Sequence, residues 1–171
     1  FGTAHRSHAS NVGVADLFAD KSYGLLMEKE LHYLNDSMKD PLRPLTVVMG
    51  GAKIKGKIEL IENFLDIADN LLIGGALSFP FLKAKGFDIH SNLIDDESID
   101  NAKRLLEYAQ NCNKEIIFPS DFVVAKSIDE IDSINILSVK DLNQDVNCFD
   151  IGPETTMFFS EFISKAETIL W

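Results

Sequence analysis

Three lysines sit at every second position in the segment Gly50-Gly51-Ala52-Lys53-Ile54-Lys55-Gly56-Lys57. The segment follows an apolar run, Leu45-Thr46-Val47-Val48-Met49, and leads into Ile58, Ile61, Phe64, Leu65 and Ala68, which recur with helical spacing. A strand, a glycine turn and a helix in that order present unpaired backbone N–H groups at a helix start, a natural seat for an anion. The lysines add positive charge where the helix dipole already favours a negative one. The chemistry this spacing suits is the binding and neutralisation of phosphate. Arg6, between His5 and His8, is a second cation, with a fixed fork of donors fitted to phosphate or carboxylate.

The elements that must position these groups alternate. Tyr23–Lys39 reads as a helix, ended by Pro41 and Pro44. Strands are expected at Leu45–Met49 and Leu71–Ile73, with helices at Lys57–Asp69 and around Ser78–Lys85. Asp95, Asp96 and Glu97 open an amphipathic helix carrying Ile99, Ala102, Leu105, Leu106 and Ala109. Glu115–Phe118 and Phe122–Ala125 are strand-like, and Ser127–Asn147 reads as an irregular or antiparallel excursion. Cys148–Ile151 ends a strand, Gly152-Pro153-Glu154 opens a helix, and Thr168–Trp171 is a last strand. This order predicts an α/β fold with a mostly parallel sheet covered by helices on both faces. The turns Gly50–Lys57, Gly74-Gly75 and Gly152-Pro153 each follow a strand, so all three are expected to converge on one ligand-binding edge.

The 171 residues carry a formal net charge of −11. Such acidity argues against non-specific binding to nucleic acid or anionic membrane, and no apolar run is long enough to span a bilayer. It leaves a small phosphorylated ligand open, because screening over roughly 8 Å isolates a local lysine cluster from distant carboxylates. Cys112 and Cys148 lack metal-ligand spacing and suit a reducing cytoplasm. The chain opens on Phe1 rather than Met and closes on an apparent strand, which reads as a piece of something longer.

Gly51, Gly56 and Lys57 match most of the P-loop pattern, but Ile58 stands where that pattern needs a magnesium-coordinating hydroxyl. A P-loop NTPase and a non-catalytic α/β module remain the alternative readings. His5 and His8, with His90 as a third candidate, could be metal ligands, but the pair has no carboxylate or cysteine partner nearby in sequence, so no metal site is expected. Phe158, Phe159 and Phe162 share a helical stripe and read as core.

The segment Phe1-Gly2-Thr3-Ala4-His5-Arg6-Ser7-His8 resembles a loop of the phosphoglycerate kinases. The resemblance continues in order through Gly24–Leu31, Arg43-Pro44, Gly50–Lys53, Gly74-Gly75 with Phe79 and Phe81–Lys83, Asp121–Ala125 and Asp150–Thr155. It covers essentially the whole chain. It implies that residues 1–40 hold the end of a triose-binding N-terminal domain and its connecting helix. Residues 41–171 would then begin a nucleotide-binding C-terminal domain, an incomplete three-layer αβα Rossmann-like fold.

The reaction implied is reversible phosphoryl transfer from 1,3-bisphosphoglycerate to ADP, giving 3-phosphoglycerate and ATP. By resemblance, Arg6 binds the triose phosphate, and Gly2, Thr3 and His5 shape its loop. Lys53 and Lys57 neutralise nucleotide phosphates and the group in flight, helped by Gly51 and Ala52. Gly74, Gly75 and Leu93 border the adenosine, with Ile128 and Phe149 as looser candidates. The metal ligand for Mg2+ is expected outside this chain, and the chain alone should be inactive. The resemblance also implies a cytoplasmic monomer acting on small molecules. Gly56, Cys148, Ala76 and Pro80 depart from the commoner Asp, Gly, Gly and Thr.

Overall fold

The computed structural model describes residues 2–91, 93–142 and 146–171. Phe1 of the opening loop and residues 143–145 of the expected excursion therefore lie outside the described residues. The chain forms two compact units, Phe1–Leu42 and Arg43–Trp171.

The first unit carries a π-helical turn at Ala9–Gly13, a short 3-10 turn at Ala15–Leu17 and the helix α1, Leu25–Lys39. The π turn is not among the elements expected from the sequence. None of its residues is buried, so no hydrophobic periodicity marked it. On α1, Met27, Glu30, Leu31 and Met38 are half-covered, whereas Leu26 is 72% exposed.

The second unit is the α/β body. Its first sheet contains β1 (Leu45–Met49), β2 (Asn70–Ile73), β3 (Ile116–Ile117) and β7 (Thr168–Leu170), all parallel, in the order β3-β2-β1-β7. The helices between these strands are α2 (Ile58–Ile67), α3 (Phe79–Ala84), α4 (Asp96–Asn111) and α5 (Pro153–Lys165). Leu72, Ile117 and Phe159 form a buried cluster with Val48, Ile151 and Phe162, so α5 covers one sheet face. Val47, Leu71 and Ile73 are equally buried on the alternate face. Strands buried on both faces explain why they read as continuous apolar runs. Helices α2 and α4 are joined side by side through Arg104–Glu62 at 3.2 Å and Tyr108–Asp66 at 2.8 Å.

The remaining strands build a separate sheet. β4 (Asp121–Ala125) lies between β5 (Asn135–Ser138) and β6 (Asn147–Ile151), antiparallel to both. The excursion at 127–147 thus contributes an antiparallel strand, as one of its two readings anticipated. The strand ending at Ile151, however, belongs to this sheet and not to the parallel one. Phe79, Leu82, Phe122, Val124 and Val139 form its core, with Phe79 and Phe122 packed edge to face at 5.8 Å.

Asp69 closes the α2–β2 corner. Its carboxylate accepts the Leu45 amide at 2.7 Å and Arg43 at 2.9 Å, tying the start of β1 to the end of α2. Asp95 caps α4 as the sequence implies: it accepts the Ser98 amide at 2.7 Å while the Ser98 hydroxyl accepts the Asp95 amide at 3.0 Å.

Candidate functional site

The loop between β1 and α2 is anchored by one apolar residue and shaped by two glycines. Ile54 is buried, pinning the middle of the loop. Around it, the Lys57 amide donates to the Ile54 carbonyl at 2.9 Å, closing a turn over Lys55 and Gly56. Gly56 has φ +82°, the value a type II turn demands at its third position, and only glycine takes it without strain. Gly51 has φ +146°, and a Cβ there would stand 3.2 Å from Lys57 Cε and 3.3 Å from its Nζ. The Lys57 side chain thus passes close over Gly51, whose positive φ is the stronger reason for glycine there.

The three lysines differ in their surroundings. Lys55 pairs with Glu97 at 3.1 Å, at the start of α4. Lys53 and Lys57 have no ion-pair or hydrogen-bond partner for their ammonium groups among the described residues. Lys57 is itself the N-cap of α2, and among the described residues no side chain caps that helix. Two available cations and free amides at one helix start offer donors and positive charge together, whose natural complement is a phosphate chain.

Beside the loop, Lys53, Ile54, Lys55, Leu93, Asp95 and Ser98 line a cleft of about 290 Å³. Leu93 and Lys53 are therefore brought together. The Ser98 amide and hydroxyl hold the Asp95 carboxyl below the ordinary carboxylate range, so the acidic side of this cleft stays charged and is balanced by Lys55. Gly74 follows β2, and its amide donates to the Met49 carbonyl at 2.9 Å, so the Gly74-Gly75 turn sits beside the lysine loop in the sheet. Gly75 has φ +59°, which glycine adopts freely. Neither glycine lines the Lys53–Leu93 cleft. Phe149 and Ile128 are 47% and 78% exposed, Phe149 on β6 and Ile128 just beyond β4.

The third glycine turn differs from the other two in its surroundings. Gly152 follows β6 of the antiparallel sheet, and the α5 start behind it is already filled. The Asp121 carboxylate, buried at the start of β4, accepts the Glu154 amide at 3.0 Å and the Thr155 amide at 2.8 Å. The Thr155 hydroxyl lies 2.5 Å from the same carboxylate and accepts the Ser120 and Asp121 amides at 3.0 and 3.1 Å. The Asp121 carboxylate thus caps the first amides of α5, while the turn itself stays beside the second one: a Cβ at Gly74 would stand 3.7 Å from Ile151 Cγ2. Gly152 is the N-cap and offers no side chain, which was the one sequence signal that a cap had to come from elsewhere.

Burial pushes the Asp121 carboxyl up, but the Thr155 hydroxyl and the Thr155 and Glu154 amides outweigh it and hold it below its ordinary range. At Asp69, burial is likewise outweighed by the Leu45 amide and Arg43. Both carboxyls therefore ionise at lower pH in the folded than in the unfolded chain. Their stabilisation is fully present above about pH 4, the ordinary carboxylate value, and fades as pH falls through the depressed folded values. Acid titration followed by circular dichroism should show stability dropping below about pH 4. Asp121→Asn should be less stable at neutral pH but lose less on acidification. An unchanged acid slope in that variant contradicts the assignment.

In the first unit, Gly2, Thr3, His5 and Arg6 share one turn. The Arg6 amide donates to the Thr3 carbonyl at 2.8 Å, and Gly2 has φ +48°. All four residues are exposed, and the Arg6 guanidinium has no partner among the described residues. Among the described residues no group of three His, Cys, Asp or Glu could hold a metal ion, and no helix is long and apolar enough to cross a membrane.

The family model described as phosphoglycerate kinase matches residues 1–171. The phosphoglycerate kinase of Finegoldia magna is 44% identical over 171 residues, covering 100% of this chain and 43% of that protein. That of Thermosipho africanus is 45% identical over 172 residues, covering 100% of this chain and 42% of that protein. The structure of phosphoglycerate kinase from Coxiella burnetii superposes with a TM-score of 0.85 at 34% identity, over 99% of this chain and 44% of that one. The enzyme from Pyrococcus horikoshii gives a TM-score of 0.70 at 30% identity, over 98% of this chain and 42% of that one. This chain spans less than half the length of the relatives it matches.

Proposed function

The chain belongs to the phosphoglycerate kinase family, and from that premise we propose that the whole protein moves a phosphoryl group reversibly between 1,3-bisphosphoglycerate and ADP. The observation that carries the reading is the selective pairing in the lysine loop. Glu97 neutralises Lys55, while Lys53 and Lys57 are left without carboxylates beside an uncapped helix start.

Phosphoryl transfer needs little covalent chemistry from a protein. The group in flight carries charge spread over three oxygens, and catalysis consists of lining up donor and acceptor and stabilising that charge. Lys53 and Lys57 supply the positive charge at the nucleotide's phosphate end, with the Gly51 and Ala52 amides as further donors. Gly74, Gly75 and Leu93 border the nucleoside. Arg6 binds the triose phosphate on the turn formed by Gly2, Thr3 and His5. Residues 1–40 then serve as the end of the triose domain and its connecting helix, and 41–171 as the first part of the nucleotide domain. The protein acts as a cytoplasmic monomer on small molecules, without nucleic-acid or membrane partners.

Phosphoglycerate kinases use ADP or ATP with Mg2+. In this reading the protein ligand of that ion lies outside residues 1–171. When bound, the ion neutralises nucleotide phosphate charge.

The test is steady-state kinetics on the full-length protein. It should convert 1,3-bisphosphoglycerate and ADP, whereas residues 1–171 alone should be inactive and bind ADP weakly at most. Arg6→Ala should raise the KM for the triose by about a hundredfold, the loss of a charge-assisted contact, and leave the KM for ADP unmoved. Full activity in Arg6→Ala would refute the triose assignment.

A further inference from the structure

We infer that Asn11 is a positioning residue for Arg6, an inference that rests on the triose reading above. One side chain makes three hydrogen bonds that together define the loop. Its Oδ1 accepts the His8 amide at 2.9 Å. Its Nδ2 donates to the Thr3 carbonyl at 2.9 Å and to the Arg6 carbonyl at 2.9 Å. The two carbonyls are the ends of the turn that Arg6 closes, and His8 opens the π-helical turn on which Asn11 itself sits.

Asn11 therefore fastens the Arg6 backbone to the following turn. Among residues 2–26 only Asn11 and Ala15 are half-buried, and none is buried. The loop has no buried apolar residue to fix it, so polar bonds must do so. The charged tip of Arg6 is left without a partner among the described residues, while its carbonyl is held. An arginine pinned at the backbone reaches a phosphate from one starting point rather than many, which lowers the ordering cost of binding.

Asparagine is required by its chemistry as well as its shape. An amide presents two donors and an acceptor, and this one uses all three functions. Aspartate has the same outline, but it would turn lone pairs on the Thr3 and Arg6 carbonyls and push them away. Asn11→Asp should therefore be at least as damaging as Asn11→Ala.

In the full-length protein, Asn11→Ala should raise the KM for the triose substrate about tenfold, the cost of misplacing a binding group. The KM for ADP and kcat should stay within about twofold, and the melting temperature within a few degrees, because the loop buries no core. The deciding measurement is a double-mutant cycle with Arg6→Ala. Once the guanidinium is gone, removing Asn11 should change the KM by less than about twofold. Three outcomes overturn the inference: a normal triose KM in Asn11→Ala, an equal rise in both substrates' KM, or a tenfold effect persisting in the Arg6→Ala background. If Arg6→Ala alone leaves the triose KM unmoved, the triose assignment fails first and takes the Asn11 inference with it.

Discussion

Gly152→Ala is expected to destabilise the Arg43–Trp171 unit by about 3 kcal/mol, lowering the melting temperature by about 10 °C. The dihedral is not the reason: Gly152 has φ −83° and ψ 176°, which any residue adopts. Space is. A Cβ at 152 would run into the Asp121 carboxylate, whose atoms are the nearest neighbours of that point. The carboxylate must then leave, abandoning the Glu154 and Thr155 amides and the fully buried Thr155 hydroxyl. Each buried polar group left unpaired costs about 1–3 kcal/mol, so their joint loss governs the effect. Asp121→Ala should cost a similar amount because it removes the same bonds. The double variant should cost little more than Asp121→Ala alone, since the clash disappears with the carboxylate. Denaturant unfolding of the four proteins settles this, and additive losses would show that Gly152 matters for another reason.

Lys53→Ala and Lys57→Ala should each reduce kcat of the full-length protein by about 10²–10³-fold, the usual loss when a preorganised charge donor is removed from a transition state. Lys55→Ala should leave kcat within about threefold, because its charge is spent on Glu97 at an exposed surface, where such pairs contribute about 0–1 kcal/mol. Three lysines within five residues thus give two severe variants and one mild one. Lys57→Arg should recover only part of the loss, since its broader head must fit the narrow space above Gly51. Equal losses at all three positions would mean that the loop contributes bulk charge rather than placed charge.

Local features of this chain were legible from its residues. The β1–glycine–α2 unit, the Asp95 start of α4 and the Pro153 start of α5 each carry their own signal within a few positions. What the sequence concealed was pairing. Phe122–Ala125 is as apolar as the parallel strands, and nothing in its composition says that its neighbours are β5 and β6. The Asp121 cap was hidden for the same reason, as donor and acceptor stand on elements far apart in the chain. At the site, spacing pointed to the lysine loop but not to the inequality of its three lysines, which depends on Glu97. Asn11 gave no signal at all, because its partners are backbone atoms whose positions only the folded loop defines.

The strand order β3-β2-β1-β7 has a consequence for biosynthesis. β1 finds β2 soon after leaving the ribosome, but its other edge waits for Thr168–Leu170, among the last residues of this sequence to emerge. Through that interval the backbone groups of Leu45, Thr46 and Val47 on that edge lack their native partners, and an open edge is a template for pairing with another nascent chain. Slower translation between these segments prolongs that vulnerable period, so codon choice across the intervening stretch bears on yield as well as speed.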